Sequence, residues 1–121
     1  MKGTRRISTA GRTRAKSSIA GPVAVKAALP PISEKQFQAQ VVKLAKLRQW
    51  TVWHCVMPKR SAAGLPDLIL LRERTLWFEL KSQRGRLRPE QIVFIERLRE
   101  AGQEVYVLKP SDWDEVERLL A

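Results

Sequence analysis

The chain reads as an α/β domain built on a mixed sheet flanked by helices, in the order α-β-β-β-α-β-α. Three observations predict it. Apolar residues recur at helical spacing after Ser33 and again after Pro89. Short runs rich in β-branched and aromatic residues stand between and after them. Turn residues separate the segments, and the composition changes near residue 30.

Ser33 suits the N-cap of a first helix starting at Glu34, with Gln36 three residues on to close a capping box. Phe37, Val41, Leu44 and Ala45 follow on one face as far as about Arg48. A rotation of about 100° per residue puts Glu34 on the same inward stripe, an unusual place for a solvating glutamate. Trp50 to Met57 reads as the first strand, and residues 58–64 (PKRSAAG) as a basic loop. Strands at about Asp67–Arg72 and Leu76–Lys81 come next, joined by a tight turn around Glu73. Both are apolar on either face except at their ends, as in a sheet covered on two sides. After a basic loop from Gln83 to Arg88, Pro89 opens a helix and Gly102 follows its end. Gln91, Phe94, Ile95 and Leu98 share a face of that helix. Glu104 to Leu108 is the last strand, and Ser111 or Asp112 caps a final helix that ends near Leu120.

The 121 residues make room for one domain. Residues 1–30 hold Lys2, Arg5, Arg6, Arg12, Arg14, Lys16 and Lys26 and no acid, so they supply +7 of the +11 net charge. They lack aromatic residues and cannot bury enough apolar surface to order themselves, so a disordered basic tail is expected there and the folded domain at 31–121. The tail suits a phosphate-binding arm; a solubilising leader and a transit peptide are the alternatives. Cys55 is the single cysteine, which excludes an intramolecular disulfide and favours a cytoplasmic location. The sequence has no apolar run long enough for a bilayer, so no membrane partner is expected.

Charge at the strand ends is the chemical signal. Gly64-Leu65-Pro66-Asp67 leads into one apolar run and Glu79-Leu80-Lys81 closes the next. A three-residue turn from Arg72 to Arg74 would set Leu71 opposite Thr75, Ile69 opposite Trp77 and Asp67 opposite Glu79. The two carboxylates would then share a face about 5 Å apart at Cβ, with Lys81 pointing the same way. A two-residue turn would send them to opposite faces, so the site requires the odd loop. Paired carboxylates repel unless a cation or proton lies between them. Mg²⁺ or Mn²⁺, bound by Asp67, Glu79, the Leu80 carbonyl, water and phosphate oxygens, fits this donor set, and no organic cofactor is expected. Such an ion acidifies water and polarises a phosphoryl group, and Lys81 can steady the transition-state charge. Each residue also has an ordinary alternative: Asp67 as a strand start beside Pro66, Glu79 and Lys81 as an edge-strand pair, Glu34 as a complement to the helix dipole, Gln91 as a plain helix residue. His54 reads as a core or flank residue, Cys55 as a small core residue, and the tryptophans as mostly core.

Glu34, Gly64-Leu65-Pro66-Asp67, Glu79-Leu80-Lys81 and Gln91 after Pro89-Glu90 together resemble the VRR-NUC (virus-type replication-repair nuclease) branch of the PD-(D/E)xK superfamily, in its small stand-alone phage and bacterial form. The resemblance spans about Ser33 to Leu120. It implies the restriction-endonuclease-like fold and a divalent-metal-dependent endonuclease acting on branched, junction or flapped DNA, in repair of Holliday junctions among other settings, as a homodimer. By resemblance Asp67 and Glu79 are metal ligands and Lys81 the catalytic lysine. Glu34 assists the metal site, through water, and Gln91 places Lys81 or the nucleophilic water. Lys59 and Arg60 before the site and Arg84, Arg86 and Arg88 after it are expected to hold phosphates without reading sequence. A non-catalytic structure-selective DNA-binding module in a repair or packaging complex is the main alternative, and an RNA-processing enzyme a third.

Overall fold

The computed structural model describes residues 31–55 and 64–121. The basic tail, Lys59 and Arg60 lie outside the described residues. Helix α1 (Glu34–Leu47) starts on the expected capping box: Ser33 Oγ accepts from the Gln36 N–H at 3.0 Å, and Gln36 Oε1 accepts from the Ser33 N–H at 2.8 Å. Strands β1 (Thr51–His54), β2 (Leu68–Leu71) and β3 (Thr75–Leu80) follow, then α2 (Pro89–Glu100) and β4 (Glu104–Leu108). A 3-10 turn (Pro110–Asp112) leads into α3 (Trp113–Leu119). The predicted order holds. Strand β2 is one residue shorter at each end, β3 begins and ends one residue earlier, and β4 has the expected bounds. Strand β1 begins at Thr51, and its expected end, Met57, lies outside the described residues. Gly102, at φ +85°, sits just past α2 as expected. Asp112 does not cap α3; its carboxylate turns back to accept from the Lys109 N–H at 2.8 Å. Ser111 is engaged elsewhere, with Gln83, through hydrogen bonds of 2.9 and 3.0 Å. That clamp fastens the loop after β3 to the turn before α3.

The sheet runs β1-β2-β3-β4, antiparallel through β3 and parallel between β3 and β4. The parallel pair needs a crossover, which α2 supplies. One face carries Leu68, Leu70, Leu76, Phe78, Leu80 and Leu108 against Phe37, Val41 and Ala45 of α1 and Val116, Leu119 and Leu120. Each large apolar side chain buried there contributes about 1.5–3 kcal/mol of transfer free energy. Trp50 closes this layer, its Nε1 donating to the Leu120 carbonyl at 3.1 Å.

The second face departs from the sequence reading. Helix α2 packs against β4, with Ile95 and Val105 both buried. Over β2, Ile69 is only half-buried and Leu71 is exposed. One helix is about 10 Å across and strands are about 4.8 Å apart, so a single helix covers roughly two strands of four. Two-sided apolarity in β2 therefore does not signify two-sided burial. Trp53 is likewise exposed, against the expectation of a core residue, because β1 is the edge strand on this half-covered face.

Candidate active site

The odd turn is present. Leu71 pairs with Thr75, Ile69 with Trp77 and Leu68 with Phe78, and the Arg72 N–H donates to the Arg74 carbonyl at 3.1 Å. One more step sets Asp67 opposite Glu79. Asp67 lies just before β2, where its carbonyl accepts from the Cys55 N–H at 2.9 Å and extends the ladder to β1. Its carboxylate crosses to β3, Oδ2 accepting from the Leu80 N–H at 2.8 Å. Leu80 thus contributes a backbone donor that fixes Asp67.

Glu79 is 1 % exposed. Its Oε2 accepts from Gln91 Nε2 at 3.0 Å and lies 3.5 Å from Lys81 Nζ. Among the described residues its Oε1 is the one buried side-chain oxygen or nitrogen without a hydrogen-bond partner. An ionised oxygen left that way costs more than any ordinary lost hydrogen bond. Burial first, and then the neighbouring Asp67 charge, push the Glu79 carboxyl up to about 7, against the pull of Lys81. Asp67 is raised too, again chiefly by burial, with the Leu80 N–H, Lys81 and Arg88 opposing.

Gln91 stands in the first turn of α2, and its Oε1 accepts from the Arg88 N–H at 2.8 Å, which orients the amide toward Glu79. Gly64 explains why the turn sequence opens on glycine. It adopts φ +95°, and a Cβ there would overlap the Glu90 carbonyl and sit 3.0 Å from the Gln91 nitrogen. The loop leading to Asp67 therefore packs directly on the backbone that presents Gln91, at a distance only glycine permits.

Glu34 differs from its expected inward position. It shares the stripe of Phe37 and Val41 but is exposed, in the first turn of α1. Its charge still contributes to raising Glu79, so it faces the site's end of the sheet. Among the described residues no three His, Cys, Asp or Glu side chains form a ready metal cage. The donor set is Asp67 and Glu79 with one orphaned oxygen, which fits a hard divalent ion completed by water and phosphate oxygens.

Of the predicted phosphate grips, Arg84 and Arg86 are exposed, while Arg88 is paired with Glu90 at 3.0 Å. Arg86 joins Lys81, Leu87, Ile92, Val107 and Lys109 around a cleft of about 410 Å³. Lys109 is absent from the sequence reading. Its signal was available, because a residue just beyond β4, parallel to β3, ends beside Lys81. His54 is a flank residue, exposed, with its Nδ1 3.2 Å from Gln38 Nε2.

The model of the VRR-NUC domain family matches residues 33–112. The chain belongs to the VRR-NUC family. Solved structures similar to it include two with VRR-NUC domains. One, a VRR_NUC domain, has TM-score 0.60 and 24 % identity over 72 % of this chain and 92 % of its own. The other, a VRR_NUC domain protein, has TM-score 0.57 and 25 % identity over 66 % and 79 %. No curated protein matches this chain. The VRR-NUC domain is a nuclease-type domain with DNA as its substrate, and its matched span includes Glu34, Gly64, Asp67, Glu79, Lys81 and Gln91. The sheet and helix arrangement is that of the VRR-NUC fold. No helix among the described residues is long and apolar enough to cross a membrane.

Proposed function

We propose that this VRR-NUC domain is a divalent-metal-dependent endonuclease that hydrolyses phosphodiester bonds in branched or flapped DNA, acting as a homodimer in the cytoplasm. The observation that carries the metal requirement is the buried, partnerless Oε1 of Glu79 beside Asp67. Asp67 and Glu79 would hold Mg²⁺ or Mn²⁺, with the Leu80 carbonyl and Glu34 through water as further donors. Such an ion supplies Lewis acidity toward the phosphoryl group and lowers the pKa of water.

The chain's own residues do the rest. Gln91 fixes the Glu79 carboxylate in one orientation by donating to Oε2. Lys81, held against the same oxygen, presents a buried ammonium that orients the attacking water and offsets charge growing on the phosphoryl oxygens. Arg84 and Arg86 carry exposed cations beside the site and would grip the backbone without reading bases. Family membership supports DNA as the substrate. The branched preference and the dimer extend the resemblance.

The test is cleavage of a labelled four-way junction, a flap and a matching linear duplex with Mg²⁺, Mn²⁺ or EDTA, alongside Lys81→Ala. Metal-dependent cutting of the branched substrates, lost in the variant, is the expected result. Binding without cutting in any metal would instead make the chain a structure-selective DNA-binding module. Sedimentation of the full chain tests the dimer.

A further inference from the structure

Three of the four tryptophans are committed to the fold. Trp50 is buried, Trp77 donates to Gln103 Oε1 at 2.9 Å, and Trp113 packs against the core cluster. Trp53 is 65 % exposed. We propose that Trp53 is the stacking platform for an unpaired base of the strand being cut, at the nucleotide next to the scissile phosphate. The inference rests on the nuclease reading of the adjoining carboxylates and adds to it a residue that selects unpaired DNA.

Register sets the position. Trp53 pairs with Ile69, and the ladder continues to Cys55 opposite Asp67. Trp53 and Asp67 are therefore diagonal neighbours on one face of the sheet, about 7–8 Å apart, within reach of an indole ring. That separation is comparable to the step between adjacent nucleotides in an extended strand.

The surroundings choose a base as the occupant. Half-buried Ile69 and exposed Leu71 lie on the same face and form an apolar shelf suited to a π-face and not to a phosphate. Cations border β1 on its other face, the one that carries His54. Lys35, Lys43 and Lys46 of α1 line a groove of about 510 Å³ with Gln38 and His54, and none of the three lysines is in an ion pair among the described residues. An exposed aromatic on an edge strand whose other face borders a basic groove lets a single strand pass around the edge of β1, a base stacking on Trp53 and phosphates following the charge. A paired base keeps its faces inside the duplex, so the platform discriminates by pairing and not by sequence.

The experiment walks 2-aminopurine through the unpaired strand of a flap substrate, in EDTA, with full-length wild type, Trp53→Phe and Trp53→Ala. Quenching confined to one position in wild type and Trp53→Phe and lost in Trp53→Ala is the expected result. Affinity for the flap should fall roughly 5- to 100-fold in Trp53→Ala with duplex affinity unchanged, the range that loss of one aromatic stack gives. An identical quenching profile in Trp53→Ala would overturn the proposal. So would an unchanged profile with a changed sedimentation coefficient, which would make this face a contact between copies of the chain. Cleavage of the same flap by wild type in Mg²⁺ is read separately. Its absence alongside local quenching would remove the nuclease reading and leave the Trp53 contact standing.

Discussion

Gln91 Nε2 donates to Glu79 Oε2 across 3.0 Å, so the buried carboxylate of β3 hangs from the first turn of α2. The same amide accepts from the Arg88 N–H and completes the cap of that helix. One side chain thus ties the start of the crossover helix to the centre of the site. Replacing it by alanine frees both groups at once. Gln91→Ala should lose about 1–3 kcal/mol in denaturant unfolding, from a lost cap and a buried acceptor deprived of its donor. Its cleavage rate should fall further than stability explains, measured in single turnover at a temperature where the variant stays folded. A wild-type rate would show that Glu79 holds its orientation without Gln91.

Gly64 should be as sensitive as the charged residues although it has no chemistry. Gly64→Ala puts a side chain at φ +95° and into the Glu90 carbonyl. The backbone conformation alone costs roughly 1–2 kcal/mol, and the overlap must move either the loop or α2. Loss of both stability and cleavage is expected, read by thermal unfolding and by rate. Retention of full activity would mean that α2 can shift without disturbing Gln91.

The raised Glu79 carboxyl gives stability a pH dependence of unusual sign. In the unfolded chain it titrates near 4.5 and in the folded protein at about 7. Between these values the folded state keeps a proton that the unfolded state releases. This group's contribution is therefore full below pH 4.5 and is lost as pH rises through 7, on the order of 3 kcal/mol. Glu79→Gln removes the effect and should stabilise the metal-free protein at pH 8 while abolishing cleavage. Thermal melts of both proteins from pH 5 to 8.5 check it. Parallel curves would show that Glu79 titrates normally.

Mg²⁺ should raise the melting temperature of wild type more at pH 8 than at pH 5.5, because the ligating carboxylates must be ionised. Asp67→Asn should abolish that shift without unfolding the domain. An equal shift in Asp67→Asn would place the ion elsewhere.

Arg84→Ala with Arg86→Ala should weaken binding to every DNA sequence alike and flatten the dependence of affinity on salt, by about one unit of slope for each phosphate no longer neutralised. Arg88→Ala should do less, since Arg88 is already paired with Glu90. Salt titrations of the double variant and of Arg88→Ala decide between them.

Much of this was legible in the chain itself. Ser33 and Gln36, Pro89 and Gly102 mark helix ends through local chemistry, which needs no tertiary partner. The three-residue turn between β2 and β3 was readable because a carboxylate pair demands one register and side chains alternate. Asp67, Glu79, Lys81 and Gln91 come together as their spacing required.

Exposure was not legible. Glu34 and Phe37 share a stripe, yet one faces water and the other the core, because helical phase says nothing about where the neighbouring layer stops. Trp53 and Trp50 look alike in sequence, and only the edge position of β1 separates them. The role of Gly64 against Glu90 joins residues far apart in the chain and has no local signature. Sequence by itself determined the order of the elements and the candidate acidic pair, and showed that this pair requires one register between β2 and β3. These follow from periodicity and from the cost of burying charge. Which face stays open, which aromatic reaches solvent and which oxygen of Glu79 is left without a partner were decided by the tertiary structure, because a single helix cannot cover four strands.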